Sequence, residues 1–184
     1  MRASRIFIPL AAAALFLAGC SNESGSPTAT SGDPVAECSF DESVDGVTAV
    51  QTGENGSTEL TVDKDAKVPK ELVVVDLCPG VGVEATPQSA VTADYVGVGY
   101  KTREVFDSSF ERGQPSTFQL SGVIPGWTEG VTGMKPGSAR LLLIPAELAY
   151  GPAGRPPAIQ ENEALAFIVE VVEVLDAPTD GTPQ

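Results

Sequence analysis

Short runs rich in apolar residues, separated by turn residues, recur between residues 71 and 175, and one of them alternates apolar and polar residues with the period of two that is typical of β-strands. In the run 91–100, Val91, Ala93 and Tyr95 fall on one face and Asp94 on the other. Other short runs of apolar residues, each bounded by turn residues, predict further strands at 71–77, 105–109, 117–120, 138–144 and 164–175.

One segment has helical spacing instead. Trp127, Val131 and Met134 stand at positions i, i+4 and i+7, which places them on one face of a short helix. Gly126 and Gly130 weaken that helix, so neighbouring strands must stabilise it. The pattern predicts an α+β fold in which a mainly antiparallel sheet of about five strands wraps around one short helix. Trp127, the only tryptophan, is either a core residue or the floor of a shallow apolar pocket.

The first twenty residues do not fit this fold. Two arginines precede an apolar run at 6–17 that is too short to span a bilayer as an ordinary helix. The run ends in Leu17-Ala18-Gly19-Cys20, which resembles the cleavage box of bacterial lipoproteins. That resemblance implies cleavage before Cys20, lipid on its sulfur and an extracytoplasmic protein anchored to the bacterial cell membrane. An ordinary secretory signal is the alternative.

Turn and linker residues divide the rest of the chain. Residues 21–37 are rich in Ser, Thr, Gly and Pro, which is typical of a flexible linker. Asn-Gly between the runs 44–52 and 57–62 predicts an accessory β-hairpin. We expect this hairpin or its linker to cover part of the apolar outward face of the last strand, which is formed by Ile168, Val172 and Val174. The resulting division is a signal peptide at 1–19, a lipid-anchored linker at 20–40, a hairpin extension at 41–66, the main domain at 67–176 and a polar tail at 177–184.

Charge and composition exclude several functions. The formal net charge is −14, from 11 basic and 25 acidic residues, which argues against nucleic-acid partners and against electrostatic binding to anionic lipid. The chain has no histidine, which excludes histidine-based triads and histidine-ligated metal sites, and we expect neither metal nor cofactor. Cys38 and Cys78 remain besides Cys20; outside the cytoplasm they are a candidate disulfide, with two buried free thiols as the alternative.

Five motifs, in this order, resemble the FK506-binding proteins, the FKBP-type peptidyl-prolyl isomerases. They are Tyr95, Val105-Phe106-Asp107-Ser108-Ser109, Val123-Ile124-Pro125-Gly126-Trp127, Ala149-Tyr150-Gly151 and Leu165-Ala166-Phe167. The resemblance covers 71–175 and implies a five- or six-stranded antiparallel half-barrel around one helix. It also implies cis–trans isomerisation of the bond before proline, proline-containing polypeptides as clients and an FK506-like macrolide as a ligand.

By position, the resemblance implies a pocket whose walls are mostly aromatic and aliphatic. Its residues are Tyr95, Phe106, Asp107, Val123, Ile124, Trp127, Tyr150, Ile159 and Phe167, with Arg112 at the position that pairs with the pocket aspartate. Ser116 stands where an aromatic ring is common, and Phe118, on the same strand face, joins the substrate-binding set. Arg155 stands where some members carry histidine.

Rotation about an X–Pro bond meets a barrier of about 18–20 kcal/mol because it breaks amide resonance, and it needs no nucleophile. A dry apolar pocket favours the twisted amide, which has lost charge separation. We expect Asp107, Tyr150 and Tyr95 to be catalytic: Tyr150 and the Ile124 N–H hold substrate carbonyls, while Asp107 acts on the rotating carbonyl or orients Tyr95. The alternatives are a structural Asp107–Arg112 ion pair and a Tyr150 that only anchors its loop.

The predicted function is therefore a monomeric isomerase acting on proteins that fold outside the cytoplasmic membrane. A proline-binding or chaperone-like surface lipoprotein without turnover is the second hypothesis. A structural lipoprotein with a vestigial pocket is the third.

Overall fold

The computed structural model describes residues 38–52 and 57–175. The predicted signal peptide, Cys20 with most of the linker, the Asn55-Gly56 turn and the polar tail lie outside these residues. The strands are β1 (Phe40–Val44), β2 (Val47–Thr52), β3 (Ser57–Val62), β4 (Val73–Cys78), β5 (Ala90–Gly99), β6 (Val105–Ser108), β7 (Ser116–Gln119), β8 (Ala139–Ile144) and β9 (Leu165–Leu175). The helices are α1 (Ser109–Arg112) and α2 (Pro125–Val131).

Strands β4 to β9 form the antiparallel sheet of the main domain, in the order β4-β8-β9-β5-β6, with β7 also paired to β5. Alternate residues of β9 point to opposite faces. Leu165, Phe167 and Val169 join the apolar cluster that contains α2, whereas Ala166 and Ile168 join a second cluster on the other face. The predicted fold class, an antiparallel sheet around a short helix, is confirmed.

The glycines of α2 explain how so weak a helix is held. A Cβ at Gly126 would overlap the side chain of Ile144, and one at Gly130 would lie 2.7 Å from Leu142 Cδ2. The helix therefore lies directly on β8, and packing compensates for its low intrinsic propensity.

The helices differ from the prediction in two details. The helix ends at Val131, so Met134 lies beyond it, although it is only 1% exposed in the same cluster.

The second difference is α1, which begins at the end of the predicted strand 105–109, where no helix was predicted. Ser108 caps this short helix by accepting a hydrogen bond from the Glu111 N–H, and Gly113 ends it at a φ of 70°. Ser–x–x–Glu would have indicated the start of a helix, but four residues are too few for a periodic apolar pattern.

The N-terminal extension has three strands instead of the predicted two, in the order β1-β2-β3. A turn at Asp45 and Gly46, with φ of 50° and 82°, lies within the predicted run 44–52 and separates β1, which ends at Val44, from β2, which begins at Val47. The extension also begins earlier than predicted, because Phe40, assigned to the linker, is a buried residue of β1.

This extension packs on the face of the main sheet opposite α2. Val47 and Leu60 share an apolar cluster with Val96 and Ile168. The expected cover is therefore present over Ile168, where the strands of the extension make it. It does not extend to Val172, which is 51% exposed, or to Val174, which packs against the cluster that contains α2. Cys38, just before β1, forms a disulfide with Cys78 at the end of β4, with 5.9 Å between their Cα atoms.

Candidate active site

A cavity of about 750 Å³ opens between α2, the main sheet and the loop that joins β8 to β9. All ten residues that the sequence assigned to the pocket line it: Tyr95, Phe106, Asp107, Phe118, Val123, Ile124, Trp127, Tyr150, Ile159 and Phe167. Gly122, Arg155, Pro156, Pro157 and Ala158 complete the lining. The volume is in the range of ordinary ligand pockets.

Trp127 forms the floor of this cavity, and its side chain is only 4% exposed. The rings of Tyr95, Phe118 and Phe167 meet it edge to face, with centroids 5.6, 5.0 and 5.5 Å away. Phe106 packs in the same way on Phe167 at 5.5 Å. Edge-to-face contacts hold the rings in fixed orientations, so the apolar walls are rigid. Trp127 is thus both a core residue and a pocket floor.

Three polar side chains at one wall of the pocket, those of Tyr95, Asp107 and Arg112, hydrogen-bond to one another. The Tyr95 hydroxyl donates to Asp107 Oδ2 at 2.6 Å, and Arg112 donates from Nη2 to the same hydroxyl at 2.8 Å. Arg112 Nη1 donates to Asp107 Oδ1, forming a salt bridge. Burial and the neighbouring Asp107 raise the pKa of Tyr95, so its phenol stays protonated and remains a donor. The carboxylate therefore has both oxygens engaged within the protein.

The backbone that carries these groups is held by Ser109, a contribution that the sequence reading missed. Its buried hydroxyl accepts from the Tyr95 N–H at 2.8 Å and donates to Asp94 Oδ1 at 2.7 Å. This links the start of α1 to β5 and fixes the distance between Tyr95 and Asp107. The sequence shows two serines after a strand, which suggest a turn and give no indication of a partner in another strand.

The β8–β9 loop forms the opposite wall. Arg155 and Ile159 exchange two backbone hydrogen bonds of 2.9 and 3.0 Å, which close the loop tip around Pro156 and Pro157. Ile159 is 2% exposed and anchors the tip in the core. The Arg155 guanidinium donates to the Tyr150 hydroxyl at 3.4 Å and lies 5.8 Å from the ring centroid.

Glu163 holds the end of this loop from inside the protein. Its side chain is 1% exposed; Oε1 accepts from the N–H groups of Lys101 and Thr102 at 3.0 Å each, and Oε2 accepts from the Gln160 N–H at 2.6 Å. Burial by itself raises the pKa of Glu163, but these backbone donors outweigh it and lower the pKa below its usual value. The sequence places Glu163 just before the apolar run of β9, where a carboxylate is buried and needs hydrogen-bond donors. This position is the signal in the sequence that could have identified the role of Glu163.

Two donors at the pocket have no acceptor among the described residues. They are the buried Trp127 Nε1 and the N–H of Ile124, the residue that precedes the first turn of α2. Nor does any group of three or more His, Cys, Asp or Glu residues in 38–52 and 57–175 have the arrangement of a metal site. A rigid aromatic pocket with a few oriented polar groups, in an antiparallel sheet wrapped around one helix, defines a protein of the peptidyl-prolyl isomerase class.

Comparisons with known proteins agree with this class. A family model described as FKBP-type peptidyl-prolyl cis-trans isomerase matches residues 82–172. A probable FK506-binding protein of Corynebacterium glutamicum is 47% identical over 104 residues, which cover 56% of this chain and 87% of that protein. The outer membrane protein MIP of Legionella longbeachae is 41% identical over 98 residues, covering 53% of this chain and 42% of that protein.

The crystal structure of FkpA from Escherichia coli is similar over 73% of this chain and 54% of that chain, with 37% identity and a TM-score of 0.55. The chain belongs to the FKBP-type peptidyl-prolyl cis-trans isomerase family, and its main domain is an isomerase of this type.

Proposed function

We propose that this isomerase acts on X–Pro bonds of polypeptides that fold outside the cytoplasmic membrane, to which lipid on Cys20 anchors it. The observation that carries the catalytic part is the pocket itself: a floor and walls of packed aromatic rings with the unpartnered Ile124 N–H at its edge. Such a pocket can bind a proline ring and leave the preceding amide in a dry environment.

Catalysis follows from that environment. The proline ring lies on Trp127, and the apolar walls favour the twisted amide over the planar one, because the twisted amide has less charge separation. The Ile124 N–H and the Tyr150 hydroxyl donate to substrate carbonyls and fix the orientation in which the bond rotates. Proline-containing polypeptides are the clients, and an FK506-like macrolide is a competing ligand of the same pocket.

Asp107 acts through Tyr95 in this mechanism. Both carboxylate oxygens are engaged, one by the Tyr95 hydroxyl and the other by Arg112. A direct contact with a substrate carbonyl carbon is left to the remaining lone pairs, on oxygens whose negative charge is already reduced by the Tyr95 and Arg112 donors. We therefore assign Asp107 and Arg112 as positioning residues that hold the Tyr95 hydroxyl at the pocket wall.

Three observations support the extracytoplasmic location. The sequence Leu17-Ala18-Gly19-Cys20 resembles a lipoprotein cleavage box. The Cys38–Cys78 disulfide is of a kind that persists in oxidising compartments. One relative is named an outer membrane protein. Within residues 38–52 and 57–175, no helix has the length and hydropathy needed to cross a membrane.

The test of the activity uses the purified full-length chain in non-ionic detergent. Exchange spectroscopy by NMR on a peptide containing Leu-Pro measures isomerisation without a coupling protease. We expect catalysed exchange that an FK506-like macrolide abolishes. Binding of the peptide without faster exchange would instead favour the second hypothesis, a proline-binding or chaperone-like protein.

The test of the anchor is a single substitution. Cys20→Ala removes the sulfur that carries the lipid, so the protein should leave the detergent phase in phase separation or remain unprocessed. The matched control is Ser21→Ala, which keeps the cysteine. Partition of Cys20→Ala into the detergent phase to the same extent as the wild type would exclude a lipid on Cys20.

A further inference from the structure

Arg155 differs from Asp107, the other charged residue of the pocket lining, in having no partner of opposite charge among the described residues. Two charged side chains, Asp107 and Arg155, belong to the lining. Asp107 is neutralised by its salt bridge to Arg112. Among the described residues no carboxylate lies within salt-bridge distance of Arg155. The pocket therefore presents one uncompensated positive charge on its loop wall.

The guanidinium is held in place without being saturated. Its backbone is fixed by the two hydrogen bonds to Ile159, and its side chain lies over the Tyr150 ring, an arrangement that favours a cation. Of the five N–H donors that a guanidinium carries, the bond to the Tyr150 hydroxyl at 3.4 Å uses one. The remaining donors have the planar geometry that binds a carboxylate through two parallel bonds.

The position of the Arg155 guanidinium determines which part of a bound substrate it can contact. The Tyr150 hydroxyl is the group assigned above to a substrate carbonyl, and Arg155 lies in contact with that hydroxyl. A side chain next to the proline of a bound segment therefore passes close to the guanidinium. We infer that Arg155 makes the site select X–Pro segments in which the residue beside the proline carries a carboxylate. This inference rests on the proposed function, because it needs a substrate bound through Tyr150.

The negative net charge of the protein repels acidic clients, but this repulsion acts over a longer distance than a direct contact with Arg155. The formal net charge of −14 repels them at a distance, and that repulsion is screened beyond about 8 Å at physiological ionic strength. A contact pair between Arg155 and a substrate carboxylate lies within this distance. Since the pair is exposed, its effect on binding is about two- to fivefold.

The test compares peptides that differ only in charge. Full-length wild type and variants are assayed by NMR exchange on Ala-Glu-Pro-Phe and Ala-Gln-Pro-Phe, and on the pair Ala-Leu-Pro-Glu and Ala-Leu-Pro-Gln. In the wild type we expect kcat/KM to be about two- to fivefold higher for the Glu peptide of at least one pair, an effect that decreases with added salt. In Arg155→Gln the Glu-to-Gln ratio should fall to about one, whereas Arg155→Lys should keep part of it.

Lys70→Gln is the matched control, because it removes one positive charge from an exposed residue outside the pocket lining. It should leave the Glu-to-Gln ratio at the wild-type value. Equal rates for Glu and Gln peptides in the wild type, or a preference that survives in Arg155→Gln, overturn this inference alone. Failure of the wild type to accelerate exchange in any peptide overturns the proposed function as well.

Discussion

The Tyr95 hydroxyl donates a 2.6 Å hydrogen bond to Asp107 Oδ2, while Arg112 contacts both residues. Tyr95 lies on β5 and Asp107 on β6, so this bond joins the side chains of two neighbouring strands at the pocket wall. In the mechanism that we propose, this carboxylate acts on the substrate through the tyrosine that it orients.

A double-mutant cycle tests that relationship. Tyr95→Phe and Asp107→Ala each remove the Tyr95–Asp107 hydrogen bond, worth about 0.5–1.5 kcal/mol, so each should lower kcat/KM by roughly 2- to 12-fold. The double variant should be no slower than the worse single variant, because the two residues act as one unit. Losses that multiply in the double variant, with melting temperatures unchanged, would show that Asp107 acts on the substrate independently of Tyr95.

Tyr150→Phe removes one hydroxyl from the loop wall and leaves the ring in place. We expect kcat/KM to decrease roughly 2- to 12-fold, the effect of one hydrogen bond to a substrate carbonyl. The melting temperature should stay at the wild-type value, because the described residues give this hydroxyl only the 3.4 Å bond from Arg155. Equal losses of stability and activity would instead assign Tyr150 to anchoring the loop.

Glu163→Gln should destabilise the protein by about 1–3 kcal/mol, because an NH2 group replaces one of the two accepting oxygens and leaves at least one buried backbone N–H unsatisfied. The pKa of Glu163 is lowered in the folded state. Its contribution is therefore fully present above the unfolded pKa of about 4.3 and is lost as pH falls through the lower folded pKa. Urea unfolding at several pH values measures this. Glu161→Gln, an exposed neighbour, is the control, and an equal effect of both substitutions at pH 7 would contradict the assigned role.

Glu170 should have the opposite pH dependence. It lies between the main sheet and the extension, where Oε1 accepts from Gln51 Nε2 at 3.0 Å and from Thr58 Oγ1 at 2.8 Å. Burial raises its pKa in spite of these two bonds, so its contribution to stability is fully present below the unfolded pKa of about 4.3 and is lost as pH rises through the higher folded pKa. Glu170→Gln should then be more stable than the wild type at pH 7, with the gain disappearing towards pH 4. A less stable variant at pH 7 would mean that the ionised form is the one the interface favours.

The Cys38–Cys78 disulfide closes a segment with a sequence separation of 40 residues. The chain-entropy model assigns such a bond about 4 kcal/mol of stability. The variant with both cysteines changed to alanine should lose about that amount in urea unfolding, and so should the wild type in reducing buffer. Two free thiols in the native protein, measured by thiol titration without reductant, would show that the bond does not form.

What the sequence determined by itself was the main sheet and the identity of the pocket residues. The strands β4 to β9 follow from short alternating or continuous apolar runs, because strands with one buried face alternate and strands with both faces in an apolar core do not. Eight of the ten pocket residues lie in the five short motifs, Phe118 and Ile159 were assigned by their positions outside them, and the structure brings all ten to one cavity. Of the three strands in the N-terminal extension, the sequence predicted two. Its Asp45-Gly46 turn is a signal in the sequence, but the prediction included these two residues in the strand 44–52.

Only the tertiary structure decided which polar groups are engaged and which are free. Glu163 contacts residues about sixty positions away, and Ser109 contacts a neighbouring strand. Pairing of Asp107 with both Tyr95 and Arg112, and the absence of a carboxylate near Arg155 among the described residues, depend on the same long-range folding. The reason is physical: periodicity reports which face of an element is buried, whereas a hydrogen bond or ion pair depends on the position of another element, and no local pattern encodes that position.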